Sequence, residues 1–226
     1  MLYKDDAFGD MFFKFGKLLL IIYFIFPLKL IAQYDSVAYS RNYEFVEGVF
    51  LNGVDFKFNR PISKLKIISN IPKEQLDFIK QIMESRTIHY RDSIGKEILL
   101  DKLSVWGYCQ NRSIYINFNN EFNRLNVVGT LCHFTANFEM QVNYRDNFSY
   151  NATLNNSVQE LRHYVYDTQT NTIFDFNVKN MEILLKNDAD LYLNFMKFKK
   201  RQKSEAIFIY LRKYNENHPF YLPVIK

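Results

Sequence analysis

The sequence changes from a strand-like to a helix-like pattern, and this change limits the fold more than any other feature. Through residues 44–167 apolar and polar side chains mostly alternate, whereas through residues 177–217 apolar side chains recur every three or four positions. Strands and helices in separate parts of a chain are typical of α+β proteins, not of alternating βαβ units. We therefore predict an α+β fold, in which an antiparallel meander sheet carries one inserted helix and a C-terminal group of helices.

Alternation is clear enough to predict strands at residues 103–109, 113–118, 132–140 and 159–167. A polar turn at residues 110–112 joins the first two strands into a hairpin, and residues 92–95 predict another tight turn. In the third stretch Cys132 begins an apolar row and His133 begins a polar row. One face of this strand therefore belongs to the core and the other is polar.

Helical periodicity predicts four helices, at residues 72–83, after Asn177, after Asp190, and from about Ser204 to just before Pro219. The first is the inserted helix, because Pro72 suits a first helical position within the strand region. The others form the C-terminal group. Residues 144–157 are polar and asparagine-rich without a period, which indicates a long exposed loop.

An export segment is the clearest functional signal in the sequence. Lys14 and Lys17 precede an apolar run at residues 18–31, and the small Ala32 is followed by the polar Gln33. This is the layout of a signal peptide cleaved between Ala32 and Gln33. We expect a signal peptide at residues 1–32, with Met11 as an alternative start, and a single exported domain at residues 33–226. An uncleaved anchor is the alternative, and it is the one expected route of membrane contact.

Cys132 and His133 are the most suggestive neighbours, because a thiolate beside an imidazole can act as a nucleophile or bind zinc. Adjacent strand residues point to opposite faces, so we interpret Cys132 as a buried structural thiol. His163 and Asp167 are about 13 Å apart along an extended strand, which excludes direct pairing and favours a surface histidine. The sequence assigns no catalytic, cofactor-binding or metal-binding residue, and we expect no cofactor.

The two cysteines, Cys109 and Cys132, permit at most one disulfide. In a simple meander their strands would flank the strand at residues 113–118, which would separate them by about 10 Å. That distance exceeds the reach of a disulfide, so we expect two free thiols. A different strand order would permit the bridge.

Several function classes lack their sequence signals. Outside the export segment only five glycines remain, and none forms a phosphate-binding loop; nor is there a nucleophile elbow or a zinc-protease helix. The formal net charge is +5, with acidic and basic residues interspersed, which argues against a nucleic-acid partner. A basic run at residues 197–203 could contact anionic groups, but a solvated helix end is the favoured interpretation.

Three stretches of the sequence resemble a known family. They are residues 47–61 (EGVFLNGVDFKFNRP), residues 106–117 around the predicted hairpin, and the closing residues 174–221. In these stretches the chain resembles a family of uncharacterised secreted proteins from Bacteroidota. The resemblance implies an exported single domain in the periplasm or at the cell surface of a Gram-negative bacterium, and it implies no activity or site residue.

Together these observations favour an exported cell-envelope protein that binds a ligand or partner without catalysis. Another envelope protein and a glycan are the partners considered, and neither is identified. One alternative is an envelope hydrolase acting on glycan or peptide, for which a cleft with two converging carboxylates would be required. The other is a structural or assembly component, which would present a flat apolar patch.

Overall fold

An eight-stranded antiparallel sheet organises the fold in the computed structural model, which describes residues 35–145 and 153–224. The strands are β1 (Ser36–Ala38), β2 (Gly48–Phe50), β3 (Ile62–Ser63), β4 (Thr87–Arg91), β5 (Glu97–Asp101), β6 (Gly107–Gln110), β7 (Ser113–Phe118), β8 (Glu121–Val127), β9 (Leu131–Arg145), β10 (Thr153–Asp167), β11 (Thr172–Asp175) and β12 (Tyr221–Pro223). The helices are α1 (Gly53–Lys57), α2 (Phe78–Glu84), α3 (Val178–Leu184), α4 (Ala189–Met196) and α5 (Lys200–Asn217).

The six strands from β6 to β11 lie side by side in chain order, and this confirms the predicted meander. β2 pairs with β6 at one edge, and β3 extends that edge. β4 and β5 form a separate hairpin across the predicted turn at residues 92–95, while β1 pairs with β12 close to the two ends of the described chain. The α+β class and the C-terminal helix group are therefore as predicted.

The sheet is strongly curved, and its inner face encloses an aromatic core. Trp106, just before β6, and Tyr166 on β10 are four strands apart, which is about 19 Å in a flat sheet. Their ring centroids are nevertheless only 5.4 Å apart. Phe56 of α1 stacks on Trp106 at 4.4 Å, and Phe220 stacks on Phe56 at 5.6 Å. Helix α1 and the segment before β12 thus fill the space inside the curve.

The outer face is covered at both ends of the sheet. Helices α3 to α5 pack on Leu131 and Val165 of β9 and β10. Helix α2 and the β4–β5 hairpin pack at the other end, on Val49 and Tyr108. The apolar rows on both faces explain why this sheet can be buried on two sides.

Most predicted helices are present, with shifted boundaries. Asn177 caps α3 as predicted, by accepting a hydrogen bond from the Asn180 N–H at 2.9 Å. Helix α5 begins at Lys200, about one turn before the predicted start, because the Gln202 side chain accepts from the Lys199 N–H at its first turn. The inserted helix α2 begins at Phe78, since residues 72–77 form turns instead. The one-turn helix α1 was not predicted.

The exposed loop predicted at residues 144–157 is wrong at both ends. β9 runs to Arg145 and β10 starts at Thr153, and the two pair in register over 15 residues. The pairing of their backbones extends both strands beyond the rest of the sheet. Residues 146–152 lie outside the described part of the chain.

The strand β8 was also missed, and it changes the spacing of the cysteines. β8 follows a two-residue turn at Asn119 and Asn120, whose φ values are 54° and 65°, and it lies between β7 and β9. Cys109 and Cys132 are therefore three strands apart, not two. The predicted free thiols are confirmed, since both cysteines are buried and unbridged.

The predicted signal peptide and its cleavage site at Ala32 and Gln33 fall outside the described residues, so they stay predictions. Within residues 35–145 and 153–224, every helix is too short or too polar to span a bilayer.

The close approach of β6 to β7 generates a stability prediction. A Cβ atom at Gly107 would overlap the carbonyl oxygen of Tyr115, which is backbone and cannot move alone. We expect Gly107→Ala to lower the free energy of unfolding by about 2–3 kcal/mol, through overpacking. Gly95→Ala is the control, because a Cβ there meets nothing within 4 Å and only its φ of 83° costs about 1 kcal/mol. Urea unfolding measures both, and equal losses would contradict the prediction.

Candidate functional site: an arginine-lined cleft

A cleft of about 660 Å³ opens at the point where β7 and β8 part. The ladder between these strands ends at the pair Tyr115 and Arg124. Beyond it, Ser113 and Ile114 lie on one side of the cleft and residues 125–127 on the other. The cleft is therefore a gap in the sheet and not a surface groove between helices.

A bulge in β8 explains the gap. The pairing of β8 with β9 shifts register between Leu125 and Val127, which pair with Phe134 and His133. A bulge bends the strand that contains it and increases its twist. At this point β8 leaves β7 and follows β9.

The two ends of the described chain form the remaining walls. Tyr39, in the segment after β1, donates its N–H to the carbonyl of Phe220 at 2.7 Å, and both residues line the cleft. The side-chain amide of Asn215, near the end of α5, accepts from the Leu131 N–H and donates to the Leu131 carbonyl, each at 2.8 Å. Gly129 packs directly against the Asn215 side chain, where a Cβ would overlap it. These contacts fix the position of α5 relative to β8 and β9.

Four arginines give the cleft its electrostatic character: Arg41, Arg112, Arg124 and Arg212. Arg112 pairs with Glu44 at the surface. The other three make no ion pair within the described residues, and Glu216 is the one carboxylate among the described lining residues. Guanidinium groups present a fork of N–H donors that matches a carboxylate or phosphate. The arrangement can therefore bind an anion.

These arginines were not identified from the sequence. Consecutive members are between 12 and 88 residues apart along the chain, and none lies in a basic motif, although Lys213 follows Arg212. Arg112 was noted only as part of a turn. These arginines come together where the bulge in β8 opens the sheet, and no sequence motif predicts this bulge.

The cysteines have a structural role, as predicted for Cys132. Both side chains are fully buried, and Cys132 Sγ lies 3.2 Å from the carbonyl oxygen of Gly129. Burial raises the pKa of both thiols to about 12. A thiol with this pKa is almost entirely protonated at neutral pH, so neither cysteine is an activated nucleophile.

His133 is placed differently from its prediction. His133 begins the polar row of β9 but lies under helix α5, where it is only 4% exposed, whereas Asn137 and Glu139 further along the same row are exposed. Its Nε2 lies 3.1 Å from Nδ1 of His163 on β10, and Phe176 and Phe208 pack against its ring. Burial, together with His163, lowers the pKa of His133 to about 4.

The remaining sequence candidates stay apart. His163 is exposed, as predicted, and its hydrogen bond is to His133. Asp167 instead accepts from the Gln169 N–H and the Thr170 hydroxyl. In the basic run, Lys203 is buried against Glu182 at 2.6 Å, while the rest of the run is exposed. The described residues contain no group of three or more His, Cys, Asp or Glu side chains that could hold a metal ion.

The buried side chain of His133 predicts acid-sensitive stability. The folded protein keeps His133 neutral to about pH 4, whereas the unfolded chain takes up a proton near pH 6.5. Protonation of His133 in the unfolded chain therefore costs no stability above pH 6.5, and it lowers the free energy of unfolding as the pH falls towards 4. At about 1.4 kcal/mol for each pKa unit, it amounts to at most about 3 kcal/mol.

Urea unfolding of the His133→Gln variant between pH 4 and pH 7 checks this. We expect a shallower fall in stability on acidification than in the unsubstituted protein, and an unchanged fall in the control variant His89→Gln. Parallel curves for His133→Gln and the unsubstituted protein would contradict the assignment.

Comparison with known proteins matches most of the chain to one family. The model of the Family of unknown function (DUF6563) matches residues 48–218, a range that includes Arg112, Arg124 and Arg212 but not Arg41. No curated protein matches the sequence, and no solved structure matches it.

Proposed function

The chain belongs to the Family of unknown function (DUF6563), and we propose that it is a non-enzymatic binding protein whose cleft takes an anionic ligand. The observation that carries the proposal is the convergence of four arginines on one cavity that contains a single carboxylate among its described lining residues. Three of these arginines have no ion-pair partner within the described residues. Their donors are therefore available to a ligand.

The free energy of anion binding depends on how exposed the arginines are. Hydrogen bonds to charged groups contribute about 1.5–3 kcal/mol each when buried, but exposed pairs contribute only about 0.2–1 kcal/mol. Because all four arginines are exposed, four contacts at the upper end of that range, about 1 kcal/mol each, would give roughly 4 kcal/mol, a Kd on the order of 1 mM for a small anion. A ligand that also contacts the apolar lining, such as Tyr39 and Phe220, would bind more tightly.

The cleft supports binding better than hydrolysis. Glycan hydrolysis by the usual route needs two carboxylates on either side of the scissile bond. Within the described lining, Glu216 is the one carboxylate, and the histidines and cysteines of the described chain lie elsewhere. The converging pair of carboxylates that an envelope hydrolase would require does not occur in this cleft.

The proposal also assigns the protein to the cell envelope. Its support is the basic and apolar run before Gln33, together with the small residue Ala32 at the cleavage position. Cleavage leaves a chain that begins at Gln33, so the intact mass of the protein isolated from its producing cell tests the predicted signal peptide. A mass that retains residues 11–32 would contradict cleavage and indicate the uncleaved anchor instead.

Anion binding is tested by isothermal titration calorimetry with citrate and with tripolyphosphate. We expect a single site for each anion in the unsubstituted protein, weakened as salt is added because the arginines are exposed. Arg124→Gln and Arg212→Gln should each weaken binding about fivefold, which corresponds to about 1 kcal/mol. Neither change should affect folding, since both side chains are exposed.

Arg201→Gln is the matched control, because this exposed arginine pairs with Glu205 on α5 outside the cleft. It should leave both affinities unchanged. If neither anion binds, or if Arg201→Gln weakens binding as much as Arg124→Gln does, the proposed function is wrong.

A further inference from the structure

The corner where α4 meets α5, residues 193–201, carries a concentrated positive charge. It contains three lysines and one arginine, all of them exposed, and no acidic residue lies between Asp190 and Glu205 in the chain. Within the part of the chain that the structure describes, Lys199 and Lys200 form no ion pair. Exposed charge of this density attracts a surface of opposite sign.

The helix dipoles do not account for this charge. A solvated helix end, whose lysines complement negative carbonyl groups, is the interpretation that the sequence favours. Lys197 fits it, because this residue directly follows the last residue of α4. Lys200 and Arg201 are instead the first two residues of α5, where the free N–H groups of the helix are already positive. Basic side chains destabilise that end of a helix, so their position here is not explained by capping.

Exposed apolar side chains lie beside the basic ones. Leu193 and Met196 are three positions apart, so they are neighbours on one face of α4, and they are 60% and 41% exposed. Phe198 follows α4 and is 37% exposed, although its ring also contacts Tyr210. Apolar side chains next to lysines are typical of surfaces that lie in the membrane interface. There the apolar groups reach the acyl boundary and the ammonium groups stay among the headgroups.

A buried lysine holds the corner in one arrangement. The Nζ atom of Lys203, on the first turn of α5, lies 2.6 Å from a carboxylate oxygen of Glu182 on α3 and 3.2 Å from the sulfur of Met196 on α4. The same ammonium group lies 5.5 Å from the centre of the buried Phe195 ring. These contacts join the start of α5 to α3 and α4. The basic and apolar side chains of the corner are therefore presented together, without any folding on contact.

We propose that the α4–α5 corner is a membrane-docking surface, which lies on anionic lipid headgroups and inserts Leu193, Met196 and Phe198 among them. A lipid surface fits better than a soluble polyanion, because a polyanion would leave these three side chains without an apolar partner. The surface is separate from the cleft, since Asn215 lies 15 residues after Lys200 on α5, a distance of about 22 Å. The corner thus provides a route of membrane contact that depends neither on the export segment nor on the anion-binding site.

The experiment places a fluorescent reporter in the corner of the full chain. Phe198→Trp supplies the reporter, and Leu99→Trp is the matched control, at an exposed apolar position on β5 at the other end of the sheet. The unsubstituted protein, with Trp106 as its one tryptophan, gives the background emission. Each protein is titrated with vesicles of phosphatidylcholine, and with vesicles that also contain roughly one third phosphatidylglycerol. Bromine on the acyl chains of the lipids quenches a tryptophan that reaches them.

We expect the mixed vesicles to quench the reporter of Phe198→Trp about twofold, because its ring reaches the acyl boundary. The reporter of Leu99→Trp should be quenched little by either vesicle, and phosphatidylcholine alone should quench neither. Added salt should weaken the binding of the mixed vesicles, since the lysines are exposed.

The charge of the corner is tested in the Phe198→Trp protein. Removing Lys199 and Lys200 together, as Lys199→Gln and Lys200→Gln, should weaken binding to the mixed vesicles about 25-fold, since each basic residue near an anionic membrane contributes about fivefold. Lys66→Gln with Lys96→Gln is the control, because it removes the same charge from exposed positions near β4 and β5. This control should change the affinity much less.

Three results would overturn the inference. Equal quenching of the two reporters, or no quenching of either, would show that the corner does not enter the membrane. Vesicle binding that depends on Lys199 and Lys200 but does not quench the Phe198→Trp reporter would identify a site for polyanions in general. Equal effects of the two pairs of lysine substitutions would show that only net charge matters. Citrate binding by the cleft should be the same in all these variants, so the inference can fail while the proposed function stands.

Discussion

The stack of Phe56, Trp106 and Phe220 is the contact on which the rest of this structure depends. These rings join three parts of the chain that are distant in sequence: helix α1, the start of β6 and the segment before β12. Because the stack lies inside the curve of the sheet, it brings Trp106 to Tyr166 across four strands. Large aromatic side chains bury enough surface to stabilise such a curved arrangement, which an aliphatic core of small residues would not fill.

The cleft is a consequence of the same arrangement. Phe220 contributes both to the stack and to the wall of the cleft, and its carbonyl holds the Tyr39 N–H. The opposite wall depends on the bulge in β8, which separates two strands that would otherwise pair. Ile114, Leu125 and Phe220 belong both to the core and to the lining, so the core holds the backbone of the cleft in place. Its arginines remain exposed and can adapt to a ligand.

The sequence was a good guide where local pattern decides structure. The alternation in β7, the hairpin turn before it and the cap at Asn177 depend on neighbouring residues, and all three were predicted. The ends of the β9–β10 pair were not predicted, because this stretch is rich in asparagine, which favours turns, whereas its strands depend on backbone pairing with each other. The burial of His133 was not predicted, because alternation separates the two faces of a strand but does not show that helix α5 covers the polar face at this residue. The cleft could not be predicted from the sequence, because its four arginines meet only through contacts between residues that are far apart in the chain.

The most direct test of the account is to observe the arginine side chains themselves. In an NMR titration with citrate, the Nε–H signals of Arg41, Arg112, Arg124 and Arg212 should shift together and saturate with one dissociation constant. Signals of arginines outside the cleft, such as Arg91 and Arg201, should shift little. Equal shifts for all arginines, or shifts that never saturate, would show that the cleft is only a basic surface and would contradict the central claim.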